Sequence, residues 1–318
     1  MPGPLTIPTP RILDGGAFPY GTMRRFMRGT GCRWLGLACL VLTVAGGCDL
    51  LNIRPKTNDP REFKEAAPGA PGKDSYRLPP YVFLADFKIP RNSPIFHDLE
   101  GLRDQVYREL KLPPSNAVVQ VYLFEDRERY ETFMQQKYPD LPKRRAFFVA
   151  QPRRLGGSED LLVYTYWGDR IQQDLRHELT HALLHSVLKD VPLWLDEGLA
   201  EFFEVPSAWD GFNPQHLEQL RAKGAERPNL ARLEQLSEVQ KMTPADYREA
   251  WAWAHLMLRS TPGARKVLLD TIQELRTNPR PGPIRPRLAD AFLSLDEAID
   301  RHLAGLALKN PSTAANSR

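Results

Sequence analysis

The segment HELTHALLHSVLKDVPLWLDEGLAEFFE, residues 177–204, is the most informative part of this 318-residue chain. Its first residues place His177 and His181 four positions apart, with Glu178 between them. Positions four apart share one face of an α-helix, because a turn takes 3.6 residues. Two imidazoles on one face can converge on a single metal ion, and Glu178 on the flank can reach a water molecule beside it. We therefore predict His177 and His181 as metal ligands and Glu178 as a general base.

The second half of the segment can complete the metal site. Pro192 can open a new helix, on which Glu197 and Glu201 are again four residues apart. A catalytic zinc ion takes three protein ligands and keeps one open position, and two histidines with one glutamate are a known set. We predict Glu197 as the third ligand. We also expect Glu201 to accept the second ring N–H of a ligand histidine, and Gly198 to let the two helices approach closely.

A third histidine, His185, lies on the same helix face as His181. It is eight residues from His177, which is about 12 Å along a helix axis. Three imidazoles spread over that length cannot meet one ion, so we expect His185 to be a bystander.

The elements before this segment alternate between strand and helix patterns, and those after it are helical. This order predicts an α+β fold, a mixed sheet followed by helices. Leu161–Tyr166 is expected to be the edge strand beside the active-site helix, where it would bind an extended peptide by main-chain pairing. The predicted strands are 81–87, 118–124, 146–150 and 161–166, and the predicted helices before residue 169 are 95–110 and 126–138, with Asp126 as a cap.

The first 48 residues have the order of an export signal. A basic segment at 23–28 precedes an apolar run of 11 residues, Trp34–Val44, and then small residues up to Cys48. The run is too short to span a bilayer as a helix, which takes about 20 residues. We expect a bacterial lipoprotein lipidated at Cys48, with ordinary secretion or an uncleaved anchor as the alternatives. Residues 1–22 are expected to lack regular structure.

Charge and cysteine positions exclude two classes of site from the rest of the chain. Residues 1–47 carry five arginines and one acid, so the remainder has 38 basic and 38 acidic residues and is neutral. A neutral chain gives no electrostatic reason to expect nucleic acid. All three cysteines (32, 39 and 48) lie in the leader or at its end, which excludes a disulfide framework or a cysteine-ligated metal in the folded part.

The stretch 177–204 resembles the gluzincin metallopeptidases, in which HExxH is followed by a glutamate ligand on a second helix. WLDEGLAE, residues 194–201, is similar to the WLxEGxA segment of zinc aminopeptidases and of small peptidase-MA-like bacterial proteins. The resemblance implies a zincin-like fold and assigns the ligand glutamate to Glu197. The GxMxN substrate motif of the aminopeptidases is missing, which favours the peptidase-MA-like group.

The same resemblance draws attention to helix residues further along. Related enzymes place a tyrosine near the metal to stabilise the oxyanion, and Tyr247 in DYREAWAWAH is in a similar segment. The alternative is that this helix only packs in the core through its aromatic residues. His255, alone on an apolar helix, is expected to be packed rather than functional.

These observations predict the following organisation and activity. We expect a leader at 1–48, a proline-rich tether at 49–80, a zincin-like part at 81–210, a helical subdomain at 211–308 and a disordered tail at 309–318. The expected activity is zinc-dependent hydrolysis of a peptide or protein substrate, with one zinc ion per chain. The alternatives are hydrolysis of a non-peptide amide or ester, and a peptidase-like envelope protein that only binds or assembles.

Overall fold

The computed structural model describes residues 11–15, 69–152, 159–188, 190–278 and 280–306. It is an α+β protein with one mixed sheet followed by a helical half, which confirms the predicted class. The predicted tail at 309–318 and most of the predicted leader, including Cys48, lie outside the described residues. Within the described ranges, no helix is both long and apolar enough to cross a membrane.

The sheet has the strand order β1-β5-β6-β4-β3-β2. Strands β3, β4 and β6 are parallel, whereas β2, β5 and β1 each pair antiparallel with their neighbours. The strands are β1 (Arg11–Gly15), β2 (Asp74–Leu78), β3 (Tyr81–Ala85), β4 (Val119–Phe124), β5 (Ala146–Pro152) and β6 (Glu159–Tyr166).

Two helices lie between the strands and the others follow β6. Asp126 caps α2 by accepting a hydrogen bond from the backbone of Arg129, as predicted. The helices are α1 (Pro94–Leu110), α2 (Arg127–Lys137), α3 (Ile171–His185), α4 (Leu193–Phe203), α5 (Pro214–Leu220), α6 (Leu230–Leu233), α7 (Pro244–Arg259), α8 (Pro262–Leu275), α9 (Arg285–Ala289) and α10 (Leu295–Gly305).

Both faces of the sheet are covered, which explains the sequence of its central strand. β4 reads VQVYLF and is buried at every position, because a strand covered on both sides does not need polar alternation. On one face, Val121 and Phe83 belong to the main core with α1, α3 and the helical half. On the other face, Tyr122 and Phe124 belong to a smaller aromatic core under α2.

Two strands formed where none was predicted. β2 lies inside the predicted tether 49–80, and β1 lies inside residues 1–22, so both expectations are wrong at these positions. Each pairs with a strand whose outer side would otherwise expose backbone N–H and C=O groups. Pairing with the neighbouring strand stabilises each segment, and the sequence of a five-residue segment alone does not predict that pairing.

The predicted edge strand is an interior strand. β6 lies between β4 and β5, so Leu161–Tyr166 has no free edge to offer a peptide, and that prediction is wrong. The cause is the antiparallel hairpin of β5 and β6, which places β5 outside β6. Helix α3 packs across both strands and against α1, and α4 packs between α3 and α7.

Candidate metal centre

Helix α3 brings the two predicted histidine ligands together. The Nε2 atoms of His177 and His181 are 3.2 Å apart, and both side chains are buried. The helix carries them into the interior because leucines on its remaining faces, among them Leu175, Leu179 and Leu183, pack in the main core. The spacing of four residues thus has the predicted effect.

Helix α4 adds the third predicted ligand. Glu197 Oε2 is 3.5 Å from His177 Nε2 and 3.7 Å from His181 Nε2. Glu197 is fully buried, and its oxygens have no hydrogen-bond partner among the described residues. A buried carboxylate is costly unless a cation compensates it, whether a protonated histidine or a metal ion. His177, His181 and Glu197 therefore form a group that can hold one metal ion.

The position of α4 depends on Gly198, but not through the contact predicted from the sequence. A Cβ atom added to Gly198 would lie 2.5 Å from the carbonyl oxygen of Ala250 and 3.3 Å from Cβ of Ala254, both on α7. A methyl group cannot come this close to a backbone oxygen unless one of the two helices moves. Gly198 therefore permits the close approach of α4 to α7, whereas we had expected it to serve the approach of α4 to the histidine helix.

The outer nitrogen of His177 contacts a residue that the sequence analysis missed. His177 Nδ1 is 3.1 Å from Oε2 of Glu204, while Glu204 Oε1 accepts a hydrogen bond of 2.6 Å from Gln173 Nε2. Burial alone would lower the pKa of His177, but the contacts with Glu197 and Glu204 raise it well above its usual value. Glu204 is the last residue of the quoted stretch, seven residues after Glu197, and this helical spacing was the available signal.

Glu201, which we predicted to accept the second ring N–H of a ligand histidine, instead contacts His216. Its Oε2 is 2.6 Å from Nε2 of His216 on α5, and the imidazole of His216 packs against Trp251. Glu201 and Glu204 also form a second group of possible metal donors with His177. Since His177 Nδ1 already contacts Glu204, we interpret this second group as the hydrogen-bonded surroundings of the predicted ligand His177. The specific prediction for Glu201 is corrected in favour of Glu204.

The Nδ1 atom of the second predicted ligand, His181, faces an aspartate. His181 Nδ1 and Asp196 Oδ1 are 3.1 Å apart, within ion-pair distance, although the contact is too bent to count as a good hydrogen bond. Burial would lower the pKa of His181, but Asp196 and Glu197 raise it to about 10. The metal-free imidazole is therefore positively charged at neutral pH, and it must lose that proton to act as a ligand.

Glu178, the residue after His177 on α3, is close enough to His177, His181 and Glu197 to interact with them electrostatically. It is fully buried, and neither of its carboxylate oxygens has a hydrogen-bond partner within the described ranges. Burial raises its pKa to about 8, against the opposing effect of His177 and His181. In the metal-free protein this pKa leaves the side chain mostly protonated at neutral pH, so Glu178 must be ionised before it can accept a proton.

The other highlighted residues have different surroundings. His185 is not part of either donor group; its Nε2 lies 2.9 Å from Asp196 Oδ2. Tyr247 is buried near the start of α7 in a small cluster with Val239 and Met242, and its predicted role in oxyanion stabilisation stays a prediction. His255 is packed, as expected, with Nδ1 2.9 Å from Nε2 of His302.

Comparison with known families places this centre inside a matched region. Residues 172–281 match a family model described as "Protein of unknown function (DUF1570)". The matched region begins in the first turn of α3, ends after α8 and includes His177, His181 and Glu197. No curated protein matches the chain.

Proposed function

We propose that this protein is a zinc-dependent hydrolase of the gluzincin type that cleaves peptide bonds. The observation that carries the proposal is the convergence of His177 Nε2, His181 Nε2 and Glu197 Oε2, together with the buried carboxylate of Glu178, which interacts electrostatically with all three residues. Two helices separated along the chain supply these four side chains. Packing alone gives no reason to bury two carboxylates without hydrogen-bond partners at one place.

The size of the donor triangle is suitable for zinc. Its sides are 3.2, 3.5 and 3.7 Å, and the point equidistant from its corners lies about 2.0 Å from each atom. Bonds from zinc to imidazole nitrogen or carboxylate oxygen are roughly 2.0–2.2 Å long. Two nitrogens and one oxygen are also a ligand set of catalytic zinc, which leaves a coordination position for chemistry. The donor set favours zinc over magnesium or calcium, which prefer ligands that are all oxygen.

Glu178 has the properties that the reaction requires of a base. Bound zinc would polarise the scissile carbonyl and lower the pKa of water. Glu178 would accept a proton from the attacking water on one of its free oxygens and then deliver it to the departing amine. A pKa near neutral pH suits a group that both accepts and delivers a proton, and the positive charge of a bound ion would favour the ionised form of Glu178.

The residues behind the ligands would orient them. Glu204 would hold His177 through Nδ1, and Asp196 would face His181 through its Nδ1, which leaves both Nε2 atoms for the ion. Tyr247 would stabilise the oxyanion, as the resemblance to gluzincins implies.

We further propose that the protein is exported and held at a bacterial membrane by lipid on Cys48. The support is the order of charge, apolar run and small residues in the leader. Metabolic labelling with a palmitate analogue should mark the wild type and leave a Cys48→Ser variant unlabelled. An unlabelled wild type would contradict lipidation and favour ordinary secretion.

The hydrolase proposal is tested by exchanging one atom of the base. Glu178→Gln keeps the shape of the side chain and should retain the metal, but it should lower the turnover of a peptide library by about 100-fold or more. Glu128→Gln, at an exposed position on α2, is the matched control and should behave as the wild type.

The substrate class is read from the same samples. Cleavage of peptides by the wild type and the control, but not by Glu178→Gln, supports the proposal. Turnover of non-peptide amide or ester substrates without peptide cleavage would support a hydrolase but contradict the peptide as its substrate class. Equal turnover by Glu178→Gln and wild type would contradict the role of Glu178.

A further inference from the structure

One carboxylate, Asp196, lies between two imidazoles of the same helix. Its Oδ1 is 3.1 Å from His181 Nδ1, and its Oδ2 is 2.9 Å from His185 Nε2. The side chains are 2%, 0% and 4% exposed for Asp196, His181 and His185 respectively, so water does not replace either contact. His185 is four residues after His181 and therefore presents its ring on the same face of α3.

We propose that His185 is a positioning residue that fixes Asp196 against the ligand His181 and so slows the release of the metal. The proposal rests on the metal centre described above and adds a residue to it. His185 acts on the ion only through Asp196 and His181, since its ring lies one helical turn beyond the donor atoms.

The contact between His185 and Asp196 is the better aligned of the two. The 2.9 Å separation of Nε2 and Oδ2 meets the criteria of a hydrogen bond, whereas the contact of Asp196 with His181 is bent. The hydrogen bond from His185 therefore contributes to the orientation of the carboxylate. Without that donor, one buried oxygen of Asp196 would lose its partner, and the carboxylate would gain freedom to rotate away from His181.

Ring packing holds both imidazoles, and it can be separated from hydrogen bonding by the choice of substitution. Phe148 on β5 lies 6.3 Å from His181 and 5.7 Å from His185, measured between ring centroids. His185→Phe retains a ring against Phe148 and removes the donor. His185→Gln removes the ring and retains an N–H donor of similar reach.

The test measures zinc release from the zinc-loaded full-length chain into excess chelator. Outer groups of metal sites typically change metal affinity by about 10- to 100-fold when removed. We expect His185→Phe to release zinc about tenfold faster than the wild type and His185→Gln to stay within about threefold of it. His97→Phe, at an exposed position on α1, is the control and should release zinc at the wild-type rate.

A double substitution and the melting temperatures separate positioning from general stability. In an Asp196→Asn background, His185→Phe should have little further effect on release, because the two residues act in series. Metal-free melting temperatures of the Phe and Gln variants should be similar. If His185→Phe does not fold, His185→Met takes its place as the variant without a donor.

The outcomes distinguish this inference from the proposed function. Zinc release by His185→Phe at the wild-type rate, or equally fast release by the Phe and Gln variants, would overturn the inference. Neither result would contradict the proposed hydrolase. Faster release by the Phe variant from a protein without hydrolytic activity would support the inference and contradict the hydrolase. A wild type that retains no zinc would overturn both.

Discussion

Glu204 Oε2 lies 3.1 Å from His177 Nδ1, whereas the other ring nitrogen, Nε2, faces His181. Glu204 follows the last residue of α4, so this helix carries the proposed ligand Glu197 and ends beside a residue that contacts the proposed ligand His177. Gln173 from α3 and Asn213 from the start of α5 hydrogen-bond to the other oxygen of Glu204. The orientation of His177 therefore depends on three consecutive helices.

Glu204→Gln should weaken metal binding. The substitution keeps the size of the side chain but removes the negative charge that favours the donating Nδ1–H of His177. We expect a loss of affinity of about tenfold, measured by competition with a chromogenic chelator. Glu218→Gln, at an exposed position on α5, is the control and should bind as the wild type. Equal affinities for both variants would contradict the role of Glu204.

Gly198→Ala should destabilise the protein. The new methyl group would meet the carbonyl oxygen of Ala250 at 2.5 Å and force α4 away from α7. Overpacking of this kind costs about 1–3 kcal/mol, and we expect a lower urea midpoint together with weaker metal binding.

Gly101→Ala is the matched control, since a Cβ atom at this position in α1 meets nothing within 4 Å. It should leave stability unchanged or raise it by up to about 1 kcal/mol, because alanine favours a helix. A Gly198→Ala protein as stable as the Gly101→Ala protein would contradict the close packing of α4 and α7.

Arg176→Met should destabilise the fold strongly. The fully buried guanidinium of Arg176 bonds to Asp98 and Gln105 on α1 and to the carbonyl oxygen of Phe203 at the end of α4. Its loss leaves these partners unsatisfied, which costs about 3–5 kcal/mol in the free energy of unfolding. Arg103→Met, half-exposed beside Asp104, should cost less than about 0.5 kcal/mol. Similar urea midpoints for the two variants would contradict this assignment.

The pair of His255 and His302 should make stability depend on pH. Burial lowers the pKa of His255 to about 3 and that of His302 to about 4, and Arg259 adds to the first shift. Between these values and about 6.5, the unfolded chain binds protons that the folded protein does not. The stability contributed by the pair is therefore present above pH 6.5 and is lost as the pH falls.

Urea unfolding at pH 7.5, 6 and 5 measures this effect. The loss should approach about 1.4 kcal/mol per pH unit for each histidine as the pH falls well below 6.5, and His302→Gln should show a smaller loss than the wild type on acidification. Parallel pH profiles for the two proteins would contradict a neutral, partly buried His302.

The sequence predicted the parts of the fold and site that are specified locally. The HExxH spacing brings His177 and His181 together through the geometry of one helix, and the strand β4 is marked by its own apolar run. Tertiary packing decides the rest. Glu201 and Glu204 are four and seven residues after Glu197, so both lie on the same helix face as Glu197. Which of them faces His177 depends on the angle at which α4 meets α3.

The same limit applies to the sheet. β2 has an alternating pattern of only five residues, and it is stabilised by its pairing with β3. Because the surrounding sequence is polar and rich in proline, we predicted a tether at this position. The edge strand was misassigned because chain order does not reveal that β5 folds back outside β6. Likewise, the need for a small residue at Gly198 was predictable, but its partner helix, α7, was not.

The most direct test of the central claim is the metal content of the purified protein, measured by mass spectrometry beside a Glu197→Ala variant. We predict one zinc ion per wild-type chain and its loss in the variant, because Glu197 is proposed to supply the third donor atom. A wild type without bound zinc after metal is added back, or a Glu197→Ala protein that keeps zinc as tightly as the wild type, would contradict it.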